Sequence, residues 1–475
     1  MRFRVSTLLL ILVTLAFYLA GQGSNPPGFF ADESSIAYNA LTIARGGVDE
    51  HGNRFPLYFV AFGEYKNPVY VYLLAGVFKV LGPSDLIARR LSSLAGYAAA
   101  LLMAALAWRM TRSRRIAALT LLAVICTPML FEISRLAFEV ALYPLATAAL
   151  LWSVYSASRR EEWTWRDAAA IGGSLVLLTY TYSIGRLLAP LLLAAIVIVF
   201  FSRRRIAWLG ATAAVFIVLA AIPIAVYNRQ HHGALTTRFQ EVSYTGPLRG
   251  QPLALISAVE QHYVADILPL SLSLRGDPNA RHHVPGSGGS ILLATFVLAV
   301  AGAVIALRRD RDRFPIFLVA GTLLSVIPAA LTNEQFHTLR LSPFPIFLIA
   351  LSIPAVEHLP KRWLTAILLV GALQAVWFFF VFHRDGGKRG PFFDAGFEQV
   401  VRAAAATGKR PIYLDVGLFA KANALWYGAR NGIDASQYVA DGQPAPGSLV
   451  ITDRYVPANA QVISNAGSCA VYVAP

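Results

Sequence analysis

The stretch IARRLSSLAGYAAALLMAALAWRMTRSRRIAALTLLAVICTPMLF, residues 87–131, holds two apolar runs on either side of a basic hinge. The runs are Ile87–Trp108 and Ile116–Phe131, and the hinge is RMTRSRR at 109–115. A helix needs ~20 apolar residues to cross the hydrocarbon, where every backbone polar group must be satisfied within the segment. Arginines between two such helices gather at one membrane face, and the positive-inside bias assigns that face to the cytoplasm.

The alternation continues in both directions. Apolar segments fall at about Val5–Gly21, Val140–Ala157, Ala168–Ser183, Leu187–Phe201, Ile206–Tyr227, Ile291–Leu307, Phe314–Leu331, Ser342–Ala355 and Trp363–Phe382. With the two above, this makes about eleven spans. Further arginine-rich connectors are SRREEWTWR (158–166), SRRR (202–205), RRDRDR (308–313) and PKRW (360–363). They occupy every second connector, and Arg2 and Arg4 join them, so the N-terminus reads as inside and the C-terminus as outside. The opening MRFRVSTLLLILVTLAFYLAG lacks a small-x-small cleavage site and reads as an uncleaved first span.

Composition agrees. The chain is 56% hydrophobic and 14% charged, against about half and about a quarter in soluble domains. The net charge of +15 is explained by the connector arginines, and no basic–aromatic surface points to nucleic acid. Cys126 and Cys469 form neither a disulfide framework nor a metal motif. No glycine-rich phosphate loop or dinucleotide fingerprint is present, which disfavours a nucleotide-sugar donor. The expected fold class is therefore an all-α polytopic membrane protein.

Three outward segments are long. Residues 22–86 contain DESSIAYNALTIARGG and NPVYVYLLAGVFKVLG, read as helices at the outer interface. Residues 228–290 are rich in His, Gly, Pro and Arg. In the tail, residues 383–475, FEQVVRAAAATGKRPIYLDV reads as helix, turn and strand and SLVITDRY as a further strand. This divides the chain into a membrane domain, 1–382, and a small extracytoplasmic α/β domain, 383–475.

Ionisable residues at a bilayer boundary are expensive and usually functional, and here they collect on the outward side. Asp32 and Glu33 open a helical run, where capping is the plain alternative. Glu139 follows in FEISRLAFE, Arg186 in TYTYSIGR, and His337 and Arg340 in NEQFHTLR, with Lys66 in EYKNP. Glu132 reads better as an exposed loop carboxylate, and Tyr180 and Tyr182 as aromatic-belt residues. A carboxylate pair facing several cations suits transfer from a phosphate leaving group: one carboxylate accepts a proton while cations stabilise the charge developing on phosphate. Asp277, Arg281, His282 and His283, in LRGDPNARHHVPGSGG, form a candidate substrate loop. Their spacing is not that of a zinc site, and no metal or other cofactor is expected.

DESSIAYNA, HGNRFPLYFVAFGEYKNPVYVYLLA and ARRLSSLAGYAAAL together resemble the N-terminal half of the lipid-dependent GT-C glycosyltransferases. The resemblance is greatest to the protein O-mannosyltransferase and lipid A aminoarabinose transferase group. It covers about residues 25–200, and the tail is unmatched. It implies an inverting transferase at the outer face of the plasma (inner) membrane. The donor would be a polyprenyl-phosphate-linked sugar and the acceptor a lipid, glycan or protein, with membrane lipid around both. The family's D-E pair falls on Asp32–Glu33, with Asp32 as base, and its acidic residue in the second outward loop on Glu139. The lysine of its K-P-P element falls on Lys66, with Asn67 in place of the first proline. The arginine of its A-R-L-P-S falls on Arg90. Lys66, Arg90, Arg186, His337 and Arg340 are the implied phosphate contacts. A secondary transporter would instead carry polar mid-span breaks and repeats between halves. A lipid-linked glycan polymerase or ligase would not need the first-loop acidic pair.

Overall fold

The computed structural model describes residues 5–309, 312–440 and 442–475. Arg2, Arg4 and part of the RRDRDR run lie outside the described residues. Helix α1 (Val5–Leu19) leads through an irregular segment to α2 (Ala31–Gly46), which Gly47 closes in the left-handed region at φ 68°. A two-stranded hairpin, β1 (Phe59–Ala61) and β2 (Glu64–Lys66), follows, and then α3 (Pro68–Leu81), which has proline in its first turn.

Helix α4 (Asp85–Thr111) packs against α5 (Arg114–Cys126). The span expected over Ile116–Phe131 is interrupted at Thr127–Pro128, where the chain restarts as the short α6 (Pro128–Ile133). Proline there cannot donate the backbone bond that would continue α5. Beyond these come α7 (Tyr143–Ser158), α8 (Trp165–Thr181) and α9 (Gly185–Phe200). The long apolar helix over 206–230 carries a π-turn at Ile217–Ala221. Among the described residues, four helices are long and apolar enough to cross a membrane: Asp85–Thr111, Glu139–Ser158, Ile206–Gln230 and Lys361–Phe392. Shorter apolar helices include Val5–Leu19, Gly185–Phe200 and Phe344–His358. Helix Leu293–Arg309 lies on Phe344–His358 so closely that a Cβ on Gly302 would fall 1.9 Å from the Leu351 carbonyl oxygen. Small residues permit this backbone approach where helices associate without a hydrophobic drive.

The basic connectors meet at one end of the molecule. Arg159 pairs with Asp312 at 2.8 Å, Arg204 with Glu161 at 2.9 Å, and Arg313 donates to the carbonyl of Phe201 at 2.7 Å. The segment 228–290, expected to be a loop, contains helices Thr237–Val242, Pro252–Ile267 and Pro269–Leu274.

The tail forms a five-stranded sheet in the order β4-β3-β5-β7-β6. Strand β3 (Ile412–Asp415) is parallel to β4 (Tyr438–Val439) and β5 (Leu449–Thr452), while β6 (Gln461–Ala466) and β7 (Cys469–Val473) run antiparallel. Helices Phe397–Ala406 and Leu418–Arg430 accompany the sheet. The second of them packs on α2, and its Trp426 is stacked by Phe29 and Phe78 at 6.0 and 5.7 Å. Asp85, at the start of α4, accepts Trp426 Nε1 at 2.7 Å and pairs with Arg430 at 2.8 Å.

Candidate active site

The first turn of α2 presents two carboxylates with opposite fates. Glu33 is fully buried. It accepts Arg89 Nε at 2.8 Å and Nη2 at 2.7 Å, the backbone N–H of Ala137 at 2.9 Å, and that of Phe30 at 3.0 Å. Asp32, one residue earlier, keeps a third of its side chain exposed and lines a cavity of about 870 Å³.

Lys66 reaches Asp32 from the end of β2, with Nζ 2.7 Å from Oδ1. Burial works against the ammonium, but Asp32, Glu139 and Glu64 outweigh it and raise its pKa, so Lys66 is held charged. Its aim is set by the next residue. Asn67 donates its backbone N–H to Glu139 Oε1 at 2.6 Å and its side-chain N–H to Oε2 at 2.9 Å. Its Oδ1 accepts Arg186 Nη2 at 3.2 Å. A proline at this position would have no N–H for Glu139, so the departure from K-P-P provides the donor pair that fixes the turn. Asn67→Ala would leave the buried Glu139 without its side-chain donor. It is expected to cost about 1–3 kcal/mol of stability, read as a lower thermal midpoint of the purified protein.

The opposite wall comes from the turn at 332–343. Arg340 donates to Thr332 Oγ1 at 2.8 Å and pairs with Glu334 at 3.1 Å on the cavity rim. His337 also lines the cavity. Burial, with Arg340 and His282 beside it, pushes its pKa well below the usual imidazole value, so the ring is neutral and offers a hydrogen bond rather than charge. In the candidate substrate loop, Arg281 and His282 line the cavity. Arg281 lies over the Phe30 ring at 4.5 Å, and His282 Nδ1 is 3.0 Å from Asp277 Oδ2. Asp277 stands behind them, and its carboxylate also accepts the Thr338 amide at 2.8 Å. Burial opposes that charge, yet His282 and the backbone donors hold the pKa well below the ordinary carboxylate range.

Four of the residues singled out from sequence do not line the cavity. Glu33 and Asp277 sit behind those that do. His283 turns away to Glu132, 2.6 Å from Nδ1, so Glu132 is buried rather than an exposed loop carboxylate. Arg90 corrects the motif-based placement: it is exposed, while Arg89 is buried and pairs with Glu33. Sequence reasoning also missed lining residues such as Glu64, Asp394 and Phe419. Glu64 flanks Lys66 and pairs with Arg238 at 3.1 Å, and Asp394 and Phe419 arrive from the tail. Among the described residues, no group of three or more His, Cys, Asp or Glu is placed to hold a metal ion.

Residues 48–237 match the family described as dolichyl-phosphate-mannose-protein mannosyltransferase. No curated protein matches the chain by sequence. Among solved structures, the fold is similar to ArnT from Cupriavidus metallidurans bound to undecaprenyl phosphate. The identity is 12% over 99% of this chain and 98% of that one, with a TM-score of 0.67. Against ArnT from Cupriavidus metallidurans in the apo state the values are 13%, 98%, 97% and 0.64. The family match spans Lys66, Glu139 and Arg186, and the fold that carries them is similar along the chain to that of the two ArnT structures.

Proposed function

We propose that the chain is an inverting glycosyltransferase moving a sugar from a polyprenyl-phosphate donor to a lipid, glycan or protein acceptor. Its site would lie at the extracytoplasmic face of the inner membrane, under a tail domain of residues 383–475. The observation that carries this reading is the Lys66–Asp32 pair inside a cavity that also holds Arg186 and Arg340. The clustering of the arginine connectors at one end of the molecule supports about eleven crossings with the N-terminus inside.

In the proposed reaction Asp32 removes the proton of an acceptor hydroxyl. Its oxygen forms a bond to the anomeric carbon as the bond from that carbon to the phosphate oxygen breaks, which inverts the centre. The electron pair leaves on the polyprenyl phosphate, where Lys66, Arg186 and Arg340 stabilise it as charge-assisted donors. Lys66 is engaged with Asp32 at 2.7 Å. A donor phosphate competing for that ammonium would release the carboxylate for proton transfer, so donor binding would arm the base.

Lys66→Ala is the test. A hydrogen bond to a charged group contributes about 1.5–3 kcal/mol, so polyprenyl-phosphate binding should weaken about 10- to 100-fold. Native mass spectrometry of the detergent-purified protein titrated with the lipid would measure this. Unchanged binding would count against the phosphate site.

A further inference from the structure

Glu33 reaches back to the Phe30 N–H at 3.0 Å, but the helix carrying Asp32 has no side-chain cap for its first-turn N–H groups from the residue before it. The residue before its first turn is Phe30, whose ring cannot accept a hydrogen bond, although the first N–H groups of a helix need acceptors. The acceptor comes from the tail, 363 residues along the chain: Asp394 Oδ2 takes the Ala31 N–H at 3.1 Å. The same oxygen accepts Asn423 Nδ2 at 2.9 Å, and Asn423 Oδ1 accepts the Ser34 hydroxyl one turn into α2. Asn423 is wholly buried. A carboxylate at this helix end also complements its dipole.

The backbone is shaped for this contact. Asp394 has φ 50°, a left-handed conformation that aspartate tolerates better than most residues. Gly28, at φ 76°, lies so close to the 393–395 backbone that a Cβ would sit 2.2 Å from the Phe393 carbonyl oxygen. Asp32 is the residue immediately after the clamped Ala31, and Asp394 lines the same cavity.

We propose that Asp394 is a positioning residue: the tail domain clamps the first turn of α2 and thereby sets where Asp32 meets the acceptor. This rests on the function proposed above, and it gives the tail domain a role in turnover rather than in donor capture.

The experiment compares the full-length purified protein with Asp394→Ala, Asp394→Asn and Asn423→Ala. Small misplacements of a reacting group can cost ~100-fold. Asp394→Ala should therefore lower kcat about 10- to 100-fold while KM for the polyprenyl-phosphate sugar stays within about twofold. Asp394→Asn, which keeps an oxygen for the Ala31 N–H, should recover most of the turnover. Hydrogen exchange of the Ala31–Ser34 amides should accelerate about tenfold or more in Asp394→Ala and much less in Asp394→Asn. Wild-type kcat in Asp394→Ala, unchanged exchange, or a rise in KM matching the loss of kcat would each overturn the clamp. If the wild-type protein transfers no sugar from the donor, the proposed function falls, and exchange still decides the clamp. If Asp394→Ala does not fold, Asn423→Ala, which removes the second arm of the clamp, decides it by the same two readouts.

Discussion

Asp32→Asn should abolish nearly all sugar transfer and leave donor binding intact. The substitution preserves shape but removes the proton acceptor, and a positioned general base contributes about 10²- to 10⁴-fold. A loss of kcat in that range is expected. Binding should behave in the opposite way. Lys66 loses the carboxylate charge that now faces it at 2.7 Å and keeps at most a neutral amide oxygen, yet Glu139 and Glu64 still favour its charged form. An ammonium no longer paired with a carboxylate should then bind polyprenyl phosphate at least as tightly as in the wild-type protein. Initial rates of transfer together with a binding titration on the same preparation separate the two effects. Weakened binding with normal turnover of the bound donor would reassign Asp32 to donor recognition.

Glu33→Ala should cause the largest loss of stability. It would leave Arg89 buried without its carboxylate, and breaking such a pair costs about 3–5 kcal/mol. The amides of Phe30 and Ala137, now bonded to Glu33, would be stranded as well. A buried ion pair can often be exchanged for apolar residues without loss. Here the two amides remain unsatisfied at about 1–3 kcal/mol each, so the double variant Glu33→Leu with Arg89→Leu should also be destabilised. Thermal unfolding of purified variants checks both. A double variant as stable as wild type would mean that the amides find other partners.

The long apolar helices Asp85–Thr111, Glu139–Ser158, Ile206–Gln230 and Lys361–Phe392 were legible because the signal is local: an apolar run long enough to cross, with charge near its ends. Glu33 and Asp32 were read as a pair, and their separate roles depend on contacts no spacing encodes. Ala137 N and Arg89 reach Glu33 from other elements, and Lys66 reaches Asp32 across 34 residues. Arg89 could have been chosen over Arg90. Ser92, Ser93 and Gly96 form a small-residue face that continues back to Arg89, whereas Leu94, four residues after Arg90, is half exposed. Asn67 was legible only as a departure from the family pattern, and its reason lies in the two donors it directs at Glu139. Asp394 was not legible, since its partner lies at the other end of the chain. In the tail, the hairpin of β6 and β7 escaped notice because β6 is a polar, exposed edge strand without apolar alternation.

The central claim is that the cavity around Asp32 and Lys66 transfers a sugar from a polyprenyl phosphate. The most direct measurement supplies a labelled polyprenyl-phosphate sugar to wild-type and Asp32→Asn protein, reconstituted in bilayers with an envelope lipid extract as acceptor. The label in the acceptor and the polyprenyl phosphate released would both be followed. The account predicts equal, time-dependent appearance of the two with the wild type and about 10²-fold less or lower with Asp32→Asn; equal transfer by both proteins would contradict it.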